Sequence, residues 1–343
     1  MRIKDLGEFG LINRIAQLLP PCSRDVVVGV GDDVAVVDTG GDHYLLLTCD
    51  IQVENTHFLP SVSPHQLGRK AAAVNLSDIG AKGGEPLHFL VSLALRAETS
   101  VRWVDEFYRG LGEEASRHGA DIIGGNLSHT QGPQVVDLFL TGKVKKDWLL
   151  LRKGARPGDK VLVTGQLGNA KGGLFLLTQE SLREKLTPEG AETLLTALLT
   201  PTPRVREGQT IAASHMATAM LDISDGLAQD LLHICEASGV GVRIWAEKIP
   251  LSLALEALAQ LLSTPPWLLA LEGGEDYELC FTSPAGEAEE LAEEVERATG
   301  TPVTIIGEVL PQKEGQWLVT PQGKETLLLP RGWNHFREVA DGS

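Results

Sequence analysis

The stretch LDISDGL, from Leu221 to Leu227, joins two segments of different hydrophobic pattern. Its apolar first residues, with the methionine before them, predict a buried β-strand, and Gly226–Ser238 predicts an α-helix. We expect Asp222 or Ser224 to cap this helix and Asp225 to lie in its first turn, where the helix dipole favours a negative charge. Two carboxylates and a hydroxyl at a strand-to-helix turn also indicate a binding site.

The alternation of strand and helix patterns continues on both sides of this stretch and predicts an α/β (α+β) protein. Ser63 and Pro64 supply a cap and a first-turn proline to a helix that should end near Gly80. Further helices are predicted at Val101–His118 and Glu287–Thr299. Further strands are predicted at Val26–Val30, Tyr44–Thr48, Leu87–Leu95, Asp121–Ile123, Val135–Val144, Lys160–Thr164, Val240–Trp245, Tyr277–Thr282 and Val303–Val309.

The length and composition indicate a folded protein of two domains. The chain has 343 residues, of which 43% are hydrophobic and 22% are charged. This length exceeds what one hydrophobic core comfortably serves. A polar stretch with Gly154, Pro157 and Gly158 predicts a hinge near residue 150. We therefore place the domains at residues 1–148 and 149–343.

The charge balance restricts the partners of the protein. Acidic residues outnumber basic ones by 46 to 30, which gives a formal net charge of -16. Such a surface repels nucleic acid and anionic lipid, so we expect no nucleic acid and no membrane as a partner. The sequence has no apolar run of about 18 residues, and acidic residues stand where a secretory leader would be apolar. We expect a cytoplasmic protein.

Cysteine and histidine spacing gives no sign of a zinc site. The four cysteines are widely scattered without a CxxC pair, and the nine histidines show neither HxH nor HExxH spacing. A disulfide framework and a zinc centre are therefore not expected.

Acidic residues recur at several further turns and element ends. GVGDD (Gly29–Asp33) begins like a dinucleotide fingerprint, but Val34 replaces the third glycine, so we expect a tight turn that points two carboxylates outward. Asp50 follows a strand, and Asp78 falls in the last turn of its helix, where the dipole disfavours a carboxylate by ~0.3–1 kcal/mol. GGEDYEL (Gly273–Leu279) crowds acids that repel one another unless a cation lies among them.

Each of these motifs also has a purely structural explanation: a polar turn, a turn cap, a solvated helix end or a solvated acidic loop. Their combination is more informative, because acids from at least four distant segments occur with few basic residues. Magnesium takes oxygen ligands and usually bridges to substrate phosphates. Neither a P-loop motif nor the HRD and DFG motifs of protein kinases occur. We therefore predict an enzyme that binds ATP through several magnesium ions.

Taken in order, the motifs resemble those of the thiamine-monophosphate kinases, in the superfamily of aminoimidazole ribonucleotide synthetase. The matches run nearly from end to end, and VNLSD with DISDGL and GGEDYEL is their specific part. The matching segments are GEFGLI (Gly7–Ile12), GVGDD (Gly29–Asp33), TCDIQVENTHF (Thr48–Phe58), AVNLSDIGAKGGEP (Ala73–Pro86), GGN (Gly124–Asn126), LRKGARPGD (Leu151–Asp159), LDISDGL (Leu221–Leu227), GGEDYEL (Gly273–Leu279) and RGWNHF (Arg331–Phe336).

The resemblance implies direct transfer of the ATP γ-phosphoryl group to thiamine phosphate, giving thiamine diphosphate and ADP. It also implies a two-domain aminoimidazole ribonucleotide synthetase-like fold and a homodimer whose N-terminal sheets pair. The metal ligands that it implicates are Asp33, Thr48, Cys49, Asp50, Asp78, Asn126, Asp222 and Asp225, with Asp33, Asp50, Asp78 and Asp225 as catalytic residues. The ATP-binding residues are Tyr108, Gly125, Asn126, Arg152 and Ser224, and the substrate-binding residues are His57, Glu275 and Trp333.

The sequence departs from the family at three of these positions. Cys49 stands where the family usually has Ser or Thr, and a thiol is a poor magnesium ligand, so Cys49 coordinates through its side chain, through its backbone or not at all. Asn126 replaces the more usual Asp; its carbonyl oxygen can still ligate, with one negative charge less. Asn55 replaces a frequent glycine, which is benign because Asn tolerates a positive φ.

Two alternatives stay open on the sequence. One is another ATP-dependent synthetase of the same superfamily, against which GGEDYEL and RGWNHF favour the thiamine enzyme. The other is a non-catalytic nucleotide sensor, against which the acids kept at all the metal motifs argue.

Overall fold

The computed structural model describes residues 2–333, 335 and 336, and it contains two β-sheets, one in each half of the chain. Six strands form the first sheet: β1 Val26–Val28, β2 Ala35–Val37, β3 His43–Val53, β4 Glu85–Leu95, β5 Asp121–His129 and β6 Val135–Lys145. Their order is β1-β2-β3-β6-β4-β5. All neighbours pair antiparallel except β4 and β5, which are parallel.

The helices described in this half are α1 Ile3–Leu18, α2 Pro64–Gly80 and α3 Val101–Arg117. Helices α2 and α3 pack on one face of the sheet and bury its core, which includes Leu76, Phe107 and Leu138. Strand β3 alternates accordingly: Leu46 and Thr48 are buried on the helix side, and the residues between them face the other way.

Seven strands form the second sheet: β7 Lys160–Thr164, β8 Ala219–Asp222, β9 Val240–Trp245, β10 Leu279–Ser283, β11 Val303–Pro311, β12 Gln316–Val319 and β13 Glu325–Leu327. Their order is β13-β12-β9-β11-β7-β10-β8. Only β12 and β9 pair parallel among these neighbours. The helices of this half are α4 Asn169–Thr178, α5 Glu180–Arg183, α6 Pro188–Leu199, α7 Val205–Ser214, α8 Leu227–Ser238, α9 Leu253–Leu262, α10 Pro266–Glu272 and α11 Ala288–Thr299.

The C-terminal end of α2 connects the two halves. Gly80 lies against Gly208 of α7 so closely that a Cβ atom on Gly208 would meet the Gly80 carbonyl oxygen at 2.0 Å. Just before it, the Ser77 hydroxyl donates to Oδ2 of Asp222 at the end of β8, at 2.6 Å. The last turn of α2 is thereby held beside the end of β8, and Asp78 lies between the two sheets.

The predicted fold class is confirmed: the protein is mixed α/β with two sheets. Helix α2 begins at Pro64 behind the capping hydroxyl of Ser63 and ends at Gly80, as the sequence predicts. Asn55 has a positive φ of 65°. None of the described helices is both long enough and apolar enough to cross a membrane. The division into domains at residue 148 stays a prediction, and residues 337–343 of the second domain, like Asn334 of RGWNHF, lie outside the described residues.

Candidate active site

A cavity of about 1560 Å³ opens between the two halves of the chain. Its wall combines residues of the β1–β2 turn, β3 and α2 with residues of the loops that follow β8 and α10. The predicted site residues on this wall are Asp33, Thr48, Cys49, Asp50, His57, Asp78, Arg152, Asp222, Ser224, Asp225, Glu275 and Trp333.

Five aspartates from distant segments meet in this cavity. Asp33 comes from the β1–β2 turn, Asp50 from β3, Asp78 from α2, Asp222 from β8 and Asp225 from the loop after it. The Thr48 hydroxyl donates to Oδ2 of Asp78 at 2.5 Å, which ties β3 to α2. The convergence expected from the separate motifs is therefore present.

Four of these aspartates hold their protons more tightly than an exposed carboxyl does. Burial, followed by the negative charge of Asp222, raises the pKa of Asp50 to about 7. Burial also raises the pKa of Asp222 to about 6 and that of Asp225 to about 7. The pKa of Asp78 is raised well above its usual value by burial and then by Asp50, Asp222 and Asp33. The crowding of buried acids is unfavourable without a positive charge among them.

The GVGDD turn is neutralised by two side chains from elsewhere. The Lys82 ammonium lies 2.5 Å from Oδ1 of Asp32 and 2.6 Å from Oδ2 of Asp33, and its side chain is 0% exposed. The Arg152 Nε donates to Oδ1 of Asp33 at 2.7 Å. Burial alone would raise the pKa of Asp33, but the charges of Lys82 and Arg152 outweigh it and lower this pKa. No sequence motif predicts this role of Lys82.

The expected cap of helix α8 is wrong. Its N-cap is Gly226, which has no side-chain cap, and Asp225 precedes the helix. Instead Asp230, in the first helical turn, reaches back: its Oδ2 accepts the backbone N–H groups of Ser224, Asp225 and Gly226 at 3.0–3.1 Å. Asp230 fixes the loop on which Asp225 lies, a role that its sequence context does not predict.

This corner could also hold a cation. One ligand atom each from Asp225, Asp230 and His233 lie within 4.8 Å of one another. Since three backbone N–H groups already engage Oδ2 of Asp230, we assign this carboxylate to support of the loop.

Three acids of the stretch from Glu272 to Tyr277 have separate partners, which is neither the mutual repulsion nor the solvated loop expected from the sequence. Asp276 accepts the backbone N–H of Gly168 at 2.6 Å, at the start of α4. Glu272 pairs with Arg331 at 3.2 Å. Glu275 pairs with Lys70 of α2 at 2.6 Å and points into the cavity.

The backbone around Glu275 is strained and firmly held. Glu275 and Tyr277 have φ values of 67° and 52°, which cost non-glycine residues roughly 1–3 kcal/mol each. The Glu275 N–H donates to the Ser224 carbonyl at 2.7 Å, and the Tyr277 N–H donates to the Ile223 carbonyl at 2.8 Å. The DISDGL and GGEDYEL segments therefore form one rigid unit.

The predicted substrate residues lie together. The His57 and His335 rings are 4.9 Å apart, and the His335 ring lies edge-on to Trp333 at 5.7 Å. The backbone N–H of Trp333 donates to the Asp225 carbonyl at 3.0 Å, which ties this aromatic group to the aspartate cluster. His335, in RGWNHF, joins His57, Glu275 and Trp333 on the cavity wall.

Three predicted ATP-binding residues are not brought to the cavity. Among the described residues that line it, Tyr108, Gly125 and Asn126 are absent. Tyr108 packs edge-on to Phe107 within α3. Gly125 lies in β5, where a Cβ atom would meet the Val91 carbonyl oxygen at 1.9 Å, so close strand packing already accounts for this glycine.

Cys49 lines the cavity, but its side chain leaves β3 on the face opposite to the two β3 residues that join the aspartate cluster. Successive side chains of a strand alternate, so Cys49 faces the side opposite to Thr48 and Asp50. Its role as a ligand stays a prediction.

The donor set of the cavity fits magnesium. The ligand atoms available at its centre are carboxylate oxygens and the Thr48 hydroxyl, which are hard oxygen donors. The pKa values of Asp50, Asp78, Asp222 and Asp225 are raised by burial and mutual repulsion. Bound divalent cations would stabilise the ionised carboxylates against both effects.

Comparison with known proteins identifies relatives along nearly the whole chain. The family model for the N-terminal domain of AIR synthase related proteins matches residues 31–144, and the model for their C-terminal domain matches residues 156–319. Thiamine-monophosphate kinase of Escherichia coli K12 is 36% identical over 331 residues, 96% of this chain and 98% of that protein. Its counterpart in Aquifex aeolicus is 37% identical over 336 residues, 98% of this chain and 100% of that protein.

A solved structure of AaThiL complexed with AMPPCP and TMP superposes with a TM-score of 0.84 at 37% identity. The match covers 98% of this chain and 99% of that one.

Proposed function

The chain belongs to the thiamine-monophosphate kinase family, and we propose on that premise that it transfers the ATP γ-phosphoryl group directly and in line to thiamine phosphate. As a member of this family it is a kinase that phosphorylates thiamine phosphate at the expense of ATP. The observation that supports direct, in-line transfer is the convergence of five aspartates with His57, Glu275 and Trp333 in one cavity. Because the residues proposed to bind the metal ions and those proposed to bind thiamine line the same cavity, the donor and the acceptor can meet there, and no phosphorylated enzyme is needed.

We assign the metal-binding role to Asp33, Asp50, Asp78, Asp222 and Asp225, with Thr48 beside them. When bound, several magnesium ions neutralise the phosphate charge that this acidic cavity would otherwise repel. Arg152 orients Asp33, and the backbone of Ser224 fixes the loop that carries Asp225. Glu275 and Trp333 attract and stack the thiazolium cation, which fixes the acceptor.

The test is a rapid-quench experiment with ATP labelled in its γ-phosphate, stopped in acid and in alkali so that no phosphorylated side chain escapes detection. We expect the label to pass from ATP to thiamine diphosphate, with no labelled protein at any time. Labelled protein that forms and decays at the turnover rate would overturn direct transfer. ATP binding without turnover would instead identify the nucleotide sensor, and a thiamine-independent product would identify another synthetase of the superfamily.

We also propose that the protein is a homodimer joined through its first sheets, in which the partner's β5 lies near the site. Strand β5 is an edge strand, and Leu127 in it is 69% exposed. Ile123 on the same strand, Leu90 on the adjacent strand β4 and Ile51 on β3 of the same sheet are exposed as well. An exposed apolar edge strand of this kind is a surface that another chain covers. In such a dimer, Gly125 and Asn126, which lie outside the cavity of their own chain, would lie near the cavity of the partner subunit.

Replacing Leu127 with Lys should convert the dimer to a monomer, because a buried lysine in an apolar interface is left without a partner. Sedimentation should give twice the chain mass of 36.9 kDa for the parent and the chain mass for the variant. Leu253→Lys is the matched control, since Leu253 is 84% exposed on α9, away from the first sheet. A parent that sediments as a monomer refutes the proposal.

The cytoplasmic location, and the exclusion of nucleic acid and membrane as partners, stay predictions from the sequence.

A further inference from the structure

Lys70 is a buried cation at the thiamine end of the cavity, and none of the motifs accounts for it. Its side chain is 4% exposed, although it lines the cavity. Lysine is rarely buried to this extent unless it is paired. Its ammonium lies 2.6 Å from Oε1 of Glu275 and 3.4 Å from the carbonyl oxygen of His57. Since an ammonium has three N–H donors, at least one is left for a ligand in the cavity.

Helix α2 places Lys70 at a fixed distance from the aspartate cluster. Lys70, Val74 and Asp78 all line the cavity, four residues apart along the helix, so they share one face. The rise of an α-helix separates Lys70 from Asp78 by about 12 Å along the axis. Asp78, at one end of this helix face, thus lies in the aspartate cluster, and Lys70, at the other end, lies beside the residues proposed to bind thiamine.

The two cations that contact the acids of the GVGDD turn are already engaged. Lys82 is held by Asp32 and Asp33, and Arg152 is held by Asp33. These pairs are needed to balance the acids of the GVGDD turn. Lys70 instead pairs with Glu275, the carboxylate to which we assign the thiazolium cation of the substrate.

The substrate carries the same two charges as this ion pair. Thiamine phosphate joins a thiazolium cation to an anionic phosphate ester, so it can meet Glu275 with its cation and Lys70 with its anion. The exchange replaces one ion pair by two and leaves neither buried charge without a partner. Unphosphorylated thiamine would take Glu275 and leave Lys70 unpaired, which is unfavourable.

Resting on the proposed function, we propose that Lys70 binds the phosphate group of thiamine phosphate and is the residue that selects it over thiamine. Lys70 gives up its pair with Glu275 when the substrate enters. The pair keeps both side chains ordered before binding.

The test is a calorimetric titration of the parent and of Lys70→Met with thiamine phosphate and, separately, with thiamine. We expect the parent to prefer thiamine phosphate. Lys70→Met should weaken thiamine phosphate binding by about 10- to 100-fold, the usual cost of a lost charge-assisted hydrogen bond. Thiamine should bind the variant at least as tightly as the parent, because Glu275 is freed. The ratio of the two affinities is the readout, and a loss of structure alone would lower both.

Trp333→Ala is the matched control, since it removes the aromatic face but neither charge. It should weaken both ligands by the same factor and keep their ratio. If Lys70→Met misfolds, Lys70→Met/Glu275→Gln removes both buried charges together and should show the same loss of preference for the phosphate ester.

An unchanged affinity ratio in either Lys70 variant would overturn the inference while the kinase activity of the parent stands. A parent that neither binds nor phosphorylates thiamine phosphate would overturn the proposed function as well. The two failures are therefore distinguishable in one set of titrations.

Discussion

Replacing Lys82 with Met should lower the free energy of unfolding of the metal-free protein by about 3–5 kcal/mol, the usual cost of removing one partner from a buried ion pair. Lys82 is 0% exposed, and all three of its donors are used, by Asp32, by Asp33 and by the Met220 carbonyl oxygen at 3.2 Å. Methionine fills a similar volume but leaves two carboxylates with less positive charge nearby. Chemical denaturation of the parent and the variant, both without metal, measures the difference.

Two further variants separate this effect from a general intolerance of the site. Lys143→Met removes the same charge from an exposed pair with Glu85 and should cost only about 0–1 kcal/mol. Lys82→Met/Asp32→Asn removes one of the two stranded charges and should recover part of the lost stability. Magnesium with ATP should raise the melting temperature of Lys82→Met more than that of the parent, because bound cations replace the missing charge. Equal metal-free stability of Lys82→Met and the parent would contradict this account.

Elements with strong local signals are the ones that the sequence predicts well. Ser63 accepts the backbone N–H of Gln66 and precedes Pro64, so the start of α2 is encoded within four residues. Strand β7, at Lys160–Thr164, has the predicted bounds. In both cases the apolar period and the flanking residues agree, and no tertiary contact is needed to decide.

Apart from α8, the helices between β7 and β10 were not predicted from the sequence patterns. Helix α4 contains Gly172 and Gly173, which disfavour a helix locally. The structure explains one of them: a Cβ atom on Gly173 would meet the Leu194 carbonyl oxygen of α6 at 2.3 Å. The close contact between α4 and α6 therefore requires glycine at position 173, and no local sequence pattern encodes such a contact.

The acids of the site could be predicted, but their partners could not. Asp33, Asp50, Asp78, Asp222 and Asp225 stand at turns and element ends, where carboxylates are conspicuous in the sequence. Lys82 and Lys70 lie in or just after an apolar helix, and their partners come from distant segments. One sequence signal for Lys70 was available: it lies eight residues before Asp78, a spacing that places both side chains on one face of a largely buried helix.

Asp78→Asn should reduce the rate of thiamine phosphate phosphorylation by at least about 100-fold, since loss of a side chain that merely supports a metal ligand already costs up to this factor. Asp78 lies in the last turn of α2 among Asp33, Asp50 and Asp222, where burial and these charges raise its pKa. Without metal its charge opposes folding at neutral pH, and with magnesium we assign it as a ligand. Asparagine keeps the shape, and its carbonyl oxygen can still accept the Thr48 hydroxyl that now contacts Oδ2 at 2.5 Å.

The metal-free melting temperature of Asp78→Asn should therefore equal or slightly exceed that of the parent, because a repelling charge is lost. The increase in melting temperature that magnesium with ATP gives the parent should largely disappear in this variant. Asp105→Asn on α3 is the matched control: this acid is exposed on a helix outside the cavity, so the rate and the increase in melting temperature should both be kept.

An Asp78→Asn protein that keeps its increase in melting temperature and its rate would show that the assignment of Asp78 as a metal ligand is wrong. An Asp78→Asn variant that unfolds even without metal would show that the carboxylate holds the end of α2 in place. Lys82→Met, in contrast, should have a lower metal-free stability and a larger increase in melting temperature on addition of magnesium with ATP. The two variants thus move metal-free stability and its response to magnesium in opposite directions, as expected if Lys82 balances the acids and Asp78 is one of the charges that need balancing.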